Sequence, residues 1–489
     1  MTSEGRGPRD ERWTRWALTI ILIIAAVVRL AGIHFSLWLD ESATLAFARQ
    51  PMSHLWGVWM LRETNPPLFY TLLKGWQMVA GMADPLARLL PIAIGLVGVW
   101  GISLLGRAIG GARAGLLAAA LLALSAIHVD YSLQLRGYGL AHGGVIFACL
   151  GMVRFLQERG HKWLLLYVTG AAVALYGHTT LALFVVLANA AMLLLLRRDR
   201  RALAQWFAAN VLLALIWGWW GWITLRQLGA PHNFSWITVP SLAQAWRTTS
   251  IALVPLYLRS DTAGGSALLA AMLGGSGIYA VRRAQAETSL LAILALGAPL
   301  LLFAVSQKTP VLLPRTLFWA SGPLFSLLAA AIVSITERRM ALFVAALAIV
   351  LSAVGLAAWY PDGQQEQWPA AAAVLDRRAT ERDIWVADDA VALALVHYLP
   401  NARARIIVVD RPGAPHERWA AGLFPGRHIG APEAGRRFGE QCHVAVLARG
   451  DYDPGPLLVA LKARPTAIGS RARNPLVWLW DCGQGPSAR

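Results

Sequence analysis

Asp40 and Glu41 stand side by side in FSLWLDESAT, residues 35–44, just past an apolar run from Trp16 to Leu37 that is long enough to cross a bilayer. A carboxylate at such a place has chemical uses. It can take a proton from a hydroxyl or amine as that group attacks a carbon, which makes Asp40 the candidate base. The pair can also help hold a divalent cation, Mg or Mn, through its oxygens. The structural reading is plainer: Asp40 or Ser36 caps the helix that begins near Glu41. Glu41 orients Asp40, helps bind the cation, or caps that helix.

Cations and hydrogen-bonding groups recur at the ends of other apolar runs. Arg315 in LPRTLFW and Arg136 in LQLRGYG each open a run, and Lys308 precedes Arg315 in the same connection. A guanidinium fork matches two phosphate oxygens at once; its alternative use is to snorkel to the interface from a helix end. His178 in YGHTT either binds sugar or phosphate or is a satisfied structural histidine. Tyr131 and Tyr138 stack on a sugar or belt the interface. Asn65, before Pro66 and Pro67, caps a helix or contacts an acceptor. Asp130 and Gln134 are one helical turn apart and share a face. Arg29 lies inside the first run, where an unpaired charge costs about 3 kcal/mol, so it faces a partner within the bundle.

Something must position these groups, and the composition says what. Of 489 residues, 57% are hydrophobic and 15% charged, against about 25% charged in a soluble domain. Lipid is the solvent. The net charge of +17 then reflects Lys and Arg in loops that hold orientation, not a nucleic-acid surface. Apolar segments of span length fall at 16–37, 86–106, 114–133, 136–156, 163–178, 179–196, 202–225, 264–281, 287–305, 315–335 and 340–359. If all eleven cross, Arg107/Arg113, Arg154/Arg159/Lys162, Arg197–Arg201, Arg282/Arg283 and Arg338/Arg339 share the side of the N-terminus. That side is cytoplasmic by the positive-inside rule. The N-terminal run lacks a small-residue cleavage site and reads as an uncleaved span.

NPPLFYTLLKGWQMVAG, residues 65–81, is short and interrupted by Lys74. It is assigned, with helices near 41–49 and 52–62, to the membrane surface. Asp40 and Glu41 thereby open a first loop, 38–85, on the outer face. Beyond Tyr360, strand-like runs (DIWVAD, RIIVVD, HVAVLA, LVWLWDC) alternate with helical ones (WPAAAAVLDRRA, AVALALVHYL), which predicts a small α/β domain over 360–489, outside the cytoplasm. Cys442 and Cys482 in it are able to pair there, whereas Cys149 is apolar core. The expectation is an α-helical polytopic membrane protein over 1–359 with this C-terminal domain.

In that order, LWLDESATL, NPPLFYTLLKGW, IHVDYSLQLRGYGLA, YGHTTLALF and LPRTLFWASGPL resemble the bacterial GT-C membrane glycosyltransferases of the family 39 type, relatives of protein O-mannosyltransferases and of the lipid A aminoarabinose transferase. The resemblance covers about 16–335. It implies a GT-C-like fold, a polyprenyl-phosphate sugar donor, an active site at the outer leaflet of the inner membrane, and an essential acid in the first loop, here Asp40. Where the family has a His before the Pro pair, this chain has Asn65; where it has a second acid, this chain has Gln134, with Asp130 a turn earlier. The acceptor implied is a lipid, a glycan or a protein. The reaction expected is a single inverting displacement, with Arg315 and Lys308 or Arg136 neutralising the leaving phosphate. The rival expectation is a transporter or flippase of a polyprenyl-linked lipid. Neither a GxGxxG after a strand nor a P-loop is present, so no nucleotide donor is suggested.

Overall fold

In hydrocarbon a backbone must satisfy its own hydrogen bonds, so apolar segments of this length become helices. The computed structural model describes residues 8–229, 237–255, 262–363, 366–378, 383–386, 389–410, 423, 427–430, 433–434, 436–437, 444–448 and 476–480. Its helices are α1 (Pro8–Leu30), α2 (Leu39–Ala48), α3 (Met52–Leu55), α4 (Leu68–Ala80), α5 (Asp84–Leu124), α6 (Ala126–Leu133), α7 (Tyr138–Glu158), α8 (His161–Gly177), α9 (Ala182–Leu196), α10 (Arg200–Leu228), α11 (Leu242–Leu253), α12 (Thr262–Arg283), α13 (Ala286–Ser306), α14 (Pro314–Leu317), α15 (Ser321–Val333), α16 (Arg338–Gly363), α17 (Trp368–Arg378) and α18 (Asp389–Tyr398). The chain divides into two compact units, one of Met1–Ile33 with Thr64–Pro361, the other of His34–Glu63 with Asp362–Arg489.

The first unit is a multi-pass membrane bundle. Among the described residues nine helices are long and apolar enough to cross a bilayer. The sequence reading has eleven, and two features account for the difference. α5 counts once but turns back on itself at Gly111, whose φ of 80° is open to glycine without strain. Gly106 and Gly110 before the turn lie against Ala114 after it, so α5 supplies two arms. α8, at 17 residues, is at the short end of the about 17–25 that cross a bilayer. α7 and α15 are buried in a core with α5, around Ile146, Met152, Phe325 and Leu327. Ile20 and Val27 of α1, Phe207 and Leu215 of α10 and Phe343 and Val350 of α16 are exposed, an apolar surface that suits lipid. α4 is 13 residues long. It buries Phe69, Tyr70 and Leu73 and exposes Met78 and Val79.

The second unit holds a five-stranded sheet: β1 (Asp383–Val386), β2 (Ile406–Asp410), β3 (Arg427–Gly430), β4 (Val444–Ala448) and β5 (Leu476–Trp480). Their order is β3-β2-β1-β4-β5. β3-β2-β1-β4 are parallel and β5 is an antiparallel edge. α18 connects β1 to β2, the crossover that parallel neighbours require. Consecutive residues Ile384, Trp385 and Val386 are all buried, so both faces of the central strand are covered. β3, reading RHIG, is four residues with little apolar pattern, and the sequence reading does not contain it. Cys442 and Cys482 lie outside the described residues.

One boundary differs from the sequence reading. Residues 34–63 belong with the C-terminal unit, and only the rest of the 38–85 loop belongs with the bundle. The cause is hydrogen bonding to the start of α2. The Glu366 carboxylate accepts the Leu39 N–H at 2.7 Å, and the Tyr398 hydroxyl accepts the Leu37 N–H at 2.7 Å. α2 packs against α18 and buries Leu39, Leu45 and Phe47. Fully burying such side chains contributes about 1.5–3 kcal/mol each. α2 is therefore a core helix of this unit, with protein rather than lipid headgroups over its apolar side.

Candidate active site

The bundle gathers most of the polar residues singled out in the sequence at one turn. Ser125 is extended, with ψ 117°, and ends α5; α6 follows and stops at Gln134, again extended. The connection 134–137 is clamped on two sides. Arg88 donates from Nη1 to the Leu133 carbonyl, and Gly137 lies against the backbone of Gly177 so closely that any Cβ there would meet the Gly177 oxygen. That approach joins the start of α7 to the end of α8.

Around the turn lie rings and guanidinium groups. Tyr131 and Tyr138 have centroids 5.1 Å apart, and Tyr138 is 5.7 Å from the His178 ring. The Arg136 guanidinium stands 5.8 Å from the Tyr138 centroid, and Arg136 is buried at 6% exposure. Arg315, in the one-turn helix opened by Pro314, acts electrostatically on both Tyr131 and His178. Burial, then Arg315, then Arg136 push His178 down to about 3, so its imidazole is neutral at ordinary pH. Its Nδ1 accepts the Thr180 N–H at 3.3 Å. An accepting Nδ1 in a neutral ring leaves the proton on Nε2. His178 is thus a fixed N–H donor, joined through the Tyr138 ring to the Arg136 guanidinium, a set that suits an anion's oxygens.

The adjoining turn reaches the Asn65 segment: Thr179 Oγ1 donates to the Thr64 carbonyl at 2.7 Å. Gln134 Nε2 donates to Asp130 Oδ1 at 3.0 Å, so this amide and carboxylate form one unit on α6. Lys308 is exposed in the turn after α13, its amide bonded to Val305 at 3.1 Å; the chain runs from there to Arg315.

Asp40 and Glu41 belong to the other unit, and their environments differ. Glu41 is buried, and its Oε2 accepts the Trp38 N–H at 3.0 Å. This is the returning bond of a capping arrangement. Asp40 is partly exposed in the first turn of α2, where the helix N-terminus favours a negative charge. A divalent cation held by both carboxylates would have to draw Glu41 out of its cap. Among the described residues no group of three or more His, Cys, Asp or Glu gathers to hold a metal ion.

Two buried histidines behind the turn, His128 and His142, are not in the sequence reading, which has only Arg29 facing a partner. Arg29 is fully buried and donates to the Ala25 carbonyl at 2.9 Å, with Nη2 2.8 Å from His128 Nδ1. His128 lies 4.8 Å from His142 ring to ring, and His142 Nε2 is 3.0 Å from Ser321 Oγ. Phe318 stacks on His142 at 4.7 Å and meets Tyr131 edge-on at 4.8 Å. Arg29 demanded a partner from its place in an apolar helix. Its identity was not legible, because His128 is 99 residues away.

Comparison with known proteins agrees with this architecture. Residues 64–222 match the family of dolichyl-phosphate-mannose-protein mannosyltransferases. No curated protein shows significant similarity to the chain. Among solved structures, ArnT from Cupriavidus metallidurans in the apo state is 14% identical, covering 96% of this chain and 98% of that one, with a TM-score of 0.64. ArnT bound to undecaprenyl phosphate is 13% identical, over 97% and 99%, with a TM-score of 0.61. The archaeal oligosaccharyltransferase AglB from Archaeoglobus fulgidus, in complex with an inhibitory peptide and a dolichol-phosphate, is 11% identical over 91% and 70%, with a TM-score of 0.55. The chain has the fold of the GT-C superfamily of membrane glycosyltransferases.

Proposed function

We propose that this GT-C-fold protein transfers a sugar from a polyprenyl-phosphate donor to an acceptor at the periplasmic face of the bacterial inner membrane. The observation that carries the reading is the cluster at the 134–137 turn, where the Arg136 guanidinium stands 5.8 Å from the Tyr138 ring and Tyr138 lies 5.7 Å from His178, whose Nδ1 accepts the Thr180 N–H. It is supported by the undecaprenyl phosphate and dolichol-phosphate bound to structures of the same fold.

In this reading the donor phosphate lies on Arg136, Arg315 and His178, and the sugar against Tyr131 and Tyr138. Lys308 adds positive charge, and Asn65 meets the acceptor. The acceptor oxygen or nitrogen forms its bond to the anomeric carbon as the bond from that carbon to the phosphate oxygen breaks. The electron pair leaves on polyprenyl phosphate, and the fixed cations stabilise the charge that develops there. The configuration inverts. The acceptor's proton passes to Asp40, proposed on its carboxylate chemistry and its place in the first turn of the helix that follows the first span. Asp130, held by Gln134, orients the acceptor or donor hydroxyls.

The test is transfer by the purified chain in nanodiscs, followed by mass spectrometry of envelope glycolipids from a deletion strain. Asp40→Asn should abolish transfer while donor still binds. Full turnover by that variant removes Asp40 from the reaction. A flippase instead predicts that Asp40→Asn and wild type move lipid equally and that no new glycoside forms.

A further inference from the structure

We infer that the end of the bundle away from the 134–137 turn binds an anionic phospholipid, its phosphate on arginines of the α9–α10 connection and its chains on the apolar flanks of those two helices. This site stands apart from the transferase reading, because lipid occupies it with no sugar donor present.

α7 carries Tyr138 at its first residue and Glu158 at its last, so the place lies a helix length, about 30 Å, from the rings of the turn. Arg197, Arg198, Arg200 and Arg201, in the run RRDRR, are all exposed there. Orientation in the membrane explains cations on one side. It does not explain their crowding at one corner. Arg200 and Arg201 stand in the first turn of α10, where the helix N-terminus disfavours a cation.

Arg159 builds the corner. Its φ of 59° and ψ of −178° fall in a region almost reserved for glycine. The side chain is tied on both sides: Nη1 donates to the Phe155 carbonyl at 2.9 Å, and Nη2 to Asp199 Oδ2 at 3.2 Å. The α7–α8 connection is thereby joined to the α9–α10 connection, and exposed Lys162 in the first turn of α8 comes with it. The acids of both connections are already engaged. Asp199 holds Arg159 and accepts the Ala202 N–H at 3.0 Å. Glu158 holds Arg154 at 2.9 Å and accepts the Trp163 indole N–H at 3.1 Å. Like charges crowded in this way repel one another, and an anion placed among them relieves the repulsion.

The surface next to the arginines selects the anion. Leu193 and Leu194, one turn before Arg197, are 54% and 53% exposed, and Phe207, two turns after Arg200, is 71% exposed. The Lys162 ammonium lies 4.7 Å from the Trp163 ring, and indoles are enriched at headgroup depth. Guanidinium forks match the free oxygens of a phosphodiester. Cations at the end of an exposed apolar surface fit a molecule with one charged head and hydrocarbon chains. A soluble polyanion has no use for the apolar part.

The experiment titrates the delipidated full chain in neutral detergent with dioleoyl phosphatidylglycerol or dioleoyl phosphatidylcholine, and native mass spectrometry counts the lipid bound. Phosphatidylglycerol should bind about 10-fold or more tighter. A cation near an anionic lipid surface is worth about 5-fold, so Arg197→Gln with Arg198→Gln, and Arg200→Gln with Arg201→Gln, should each cut the preference at least about 5-fold. The bundle cluster is the same in wild type and variants, so the difference belongs to this corner. Arg200→Gln with Arg201→Gln should keep or raise the melting temperature, because it removes cations from a helix N-terminus. Glycerol 1-phosphate at equal concentration, a head without chains, should not displace the lipid. No preference in wild type, or an unchanged preference in both variants, overturns the proposal. So does a lowered melting temperature together with the lost preference, which makes the arginines structural. Displacement by glycerol 1-phosphate overturns the lipid as occupant in favour of a soluble anion.

Discussion

Gln134 Nε2 donates to Asp130 Oδ1 at 3.0 Å across one turn of α6, so the neutral amide serves the carboxylate one turn before it. A hydrogen bond to a charged group contributes about 1.5–3 kcal/mol. Gln134→Ala should therefore cut kcat roughly 10-fold with expression unchanged. Gln134→Glu should cut it at least as much by placing two carboxylates together. Both are read by single-turnover transfer.

Arg136 and Arg315 make a graded prediction. Alanine at either position should weaken polyprenyl-phosphate binding by about 10–100-fold, the worth of about 1.5–3 kcal/mol per charge-assisted bond. Arg315→Lys should recover only part of it, because an ammonium cannot make the planar double contact. Quenching of tryptophan fluorescence by polyprenyl phosphate measures this directly.

His178 sets a pH dependence whose sign is fixed. Its folded value, about 3, lies below the ordinary 6.5, so the unfolded chain binds the proton first on acidification. Stability is unaffected above pH 6.5 and falls as pH drops from there towards about 3. His178→Gln should flatten this part of the melting-temperature profile. An equal slope in wild type and variant would remove His178 as its source.

Gly137 permits the approach of α7 to the end of α8. Gly137→Ala forces a Cβ onto the Gly177 carbonyl. Overpacking of this kind costs about 1–3 kcal/mol. Transfer should fall further than stability, because the shift parts Tyr138 from His178; paired melting and activity measurements separate the two effects.

The buried Glu366 caps α2 through Leu39 and also accepts the Trp368 indole N–H. Glu366→Ala should destabilise the second unit by about 2–4 kcal/mol, from the charged hydrogen bonds lost. Tyr398→Phe should cost about 1 kcal/mol. Urea unfolding followed at a fluorophore in that unit reports both.

Much of this architecture was legible because lipid leaves the chain few options. Long apolar runs and basic loops fixed the bundle, and β1, β2, β4 and β5 coincide with runs of strand character. The turn at Gly111 was read correctly as a break between spans, since Arg107 and Arg113 flank it. Most of the polar residues that the structure gathers at the 134–137 turn stand out in the sequence by type and by motif. What stayed hidden depends on contacts distant in sequence: Arg29 with His128, and Leu37 and Leu39 with Tyr398 and Glu366. α2 looked interfacial because its amphipathic pattern does not say whether lipid or α18 covers the apolar side. β3 is too short and too polar to announce itself.

The bonds from Glu366 and Tyr398 to the chain before Asp40 span 327 and 361 positions. A chain truncated after the last span would keep every residue of the first loop yet lose the scaffold that gives its acidic helix a shape. The C-terminal quarter is therefore no detachable accessory. An exchange of tails between relatives should succeed only when residues 34–63 travel with the tail, as one cassette in two pieces.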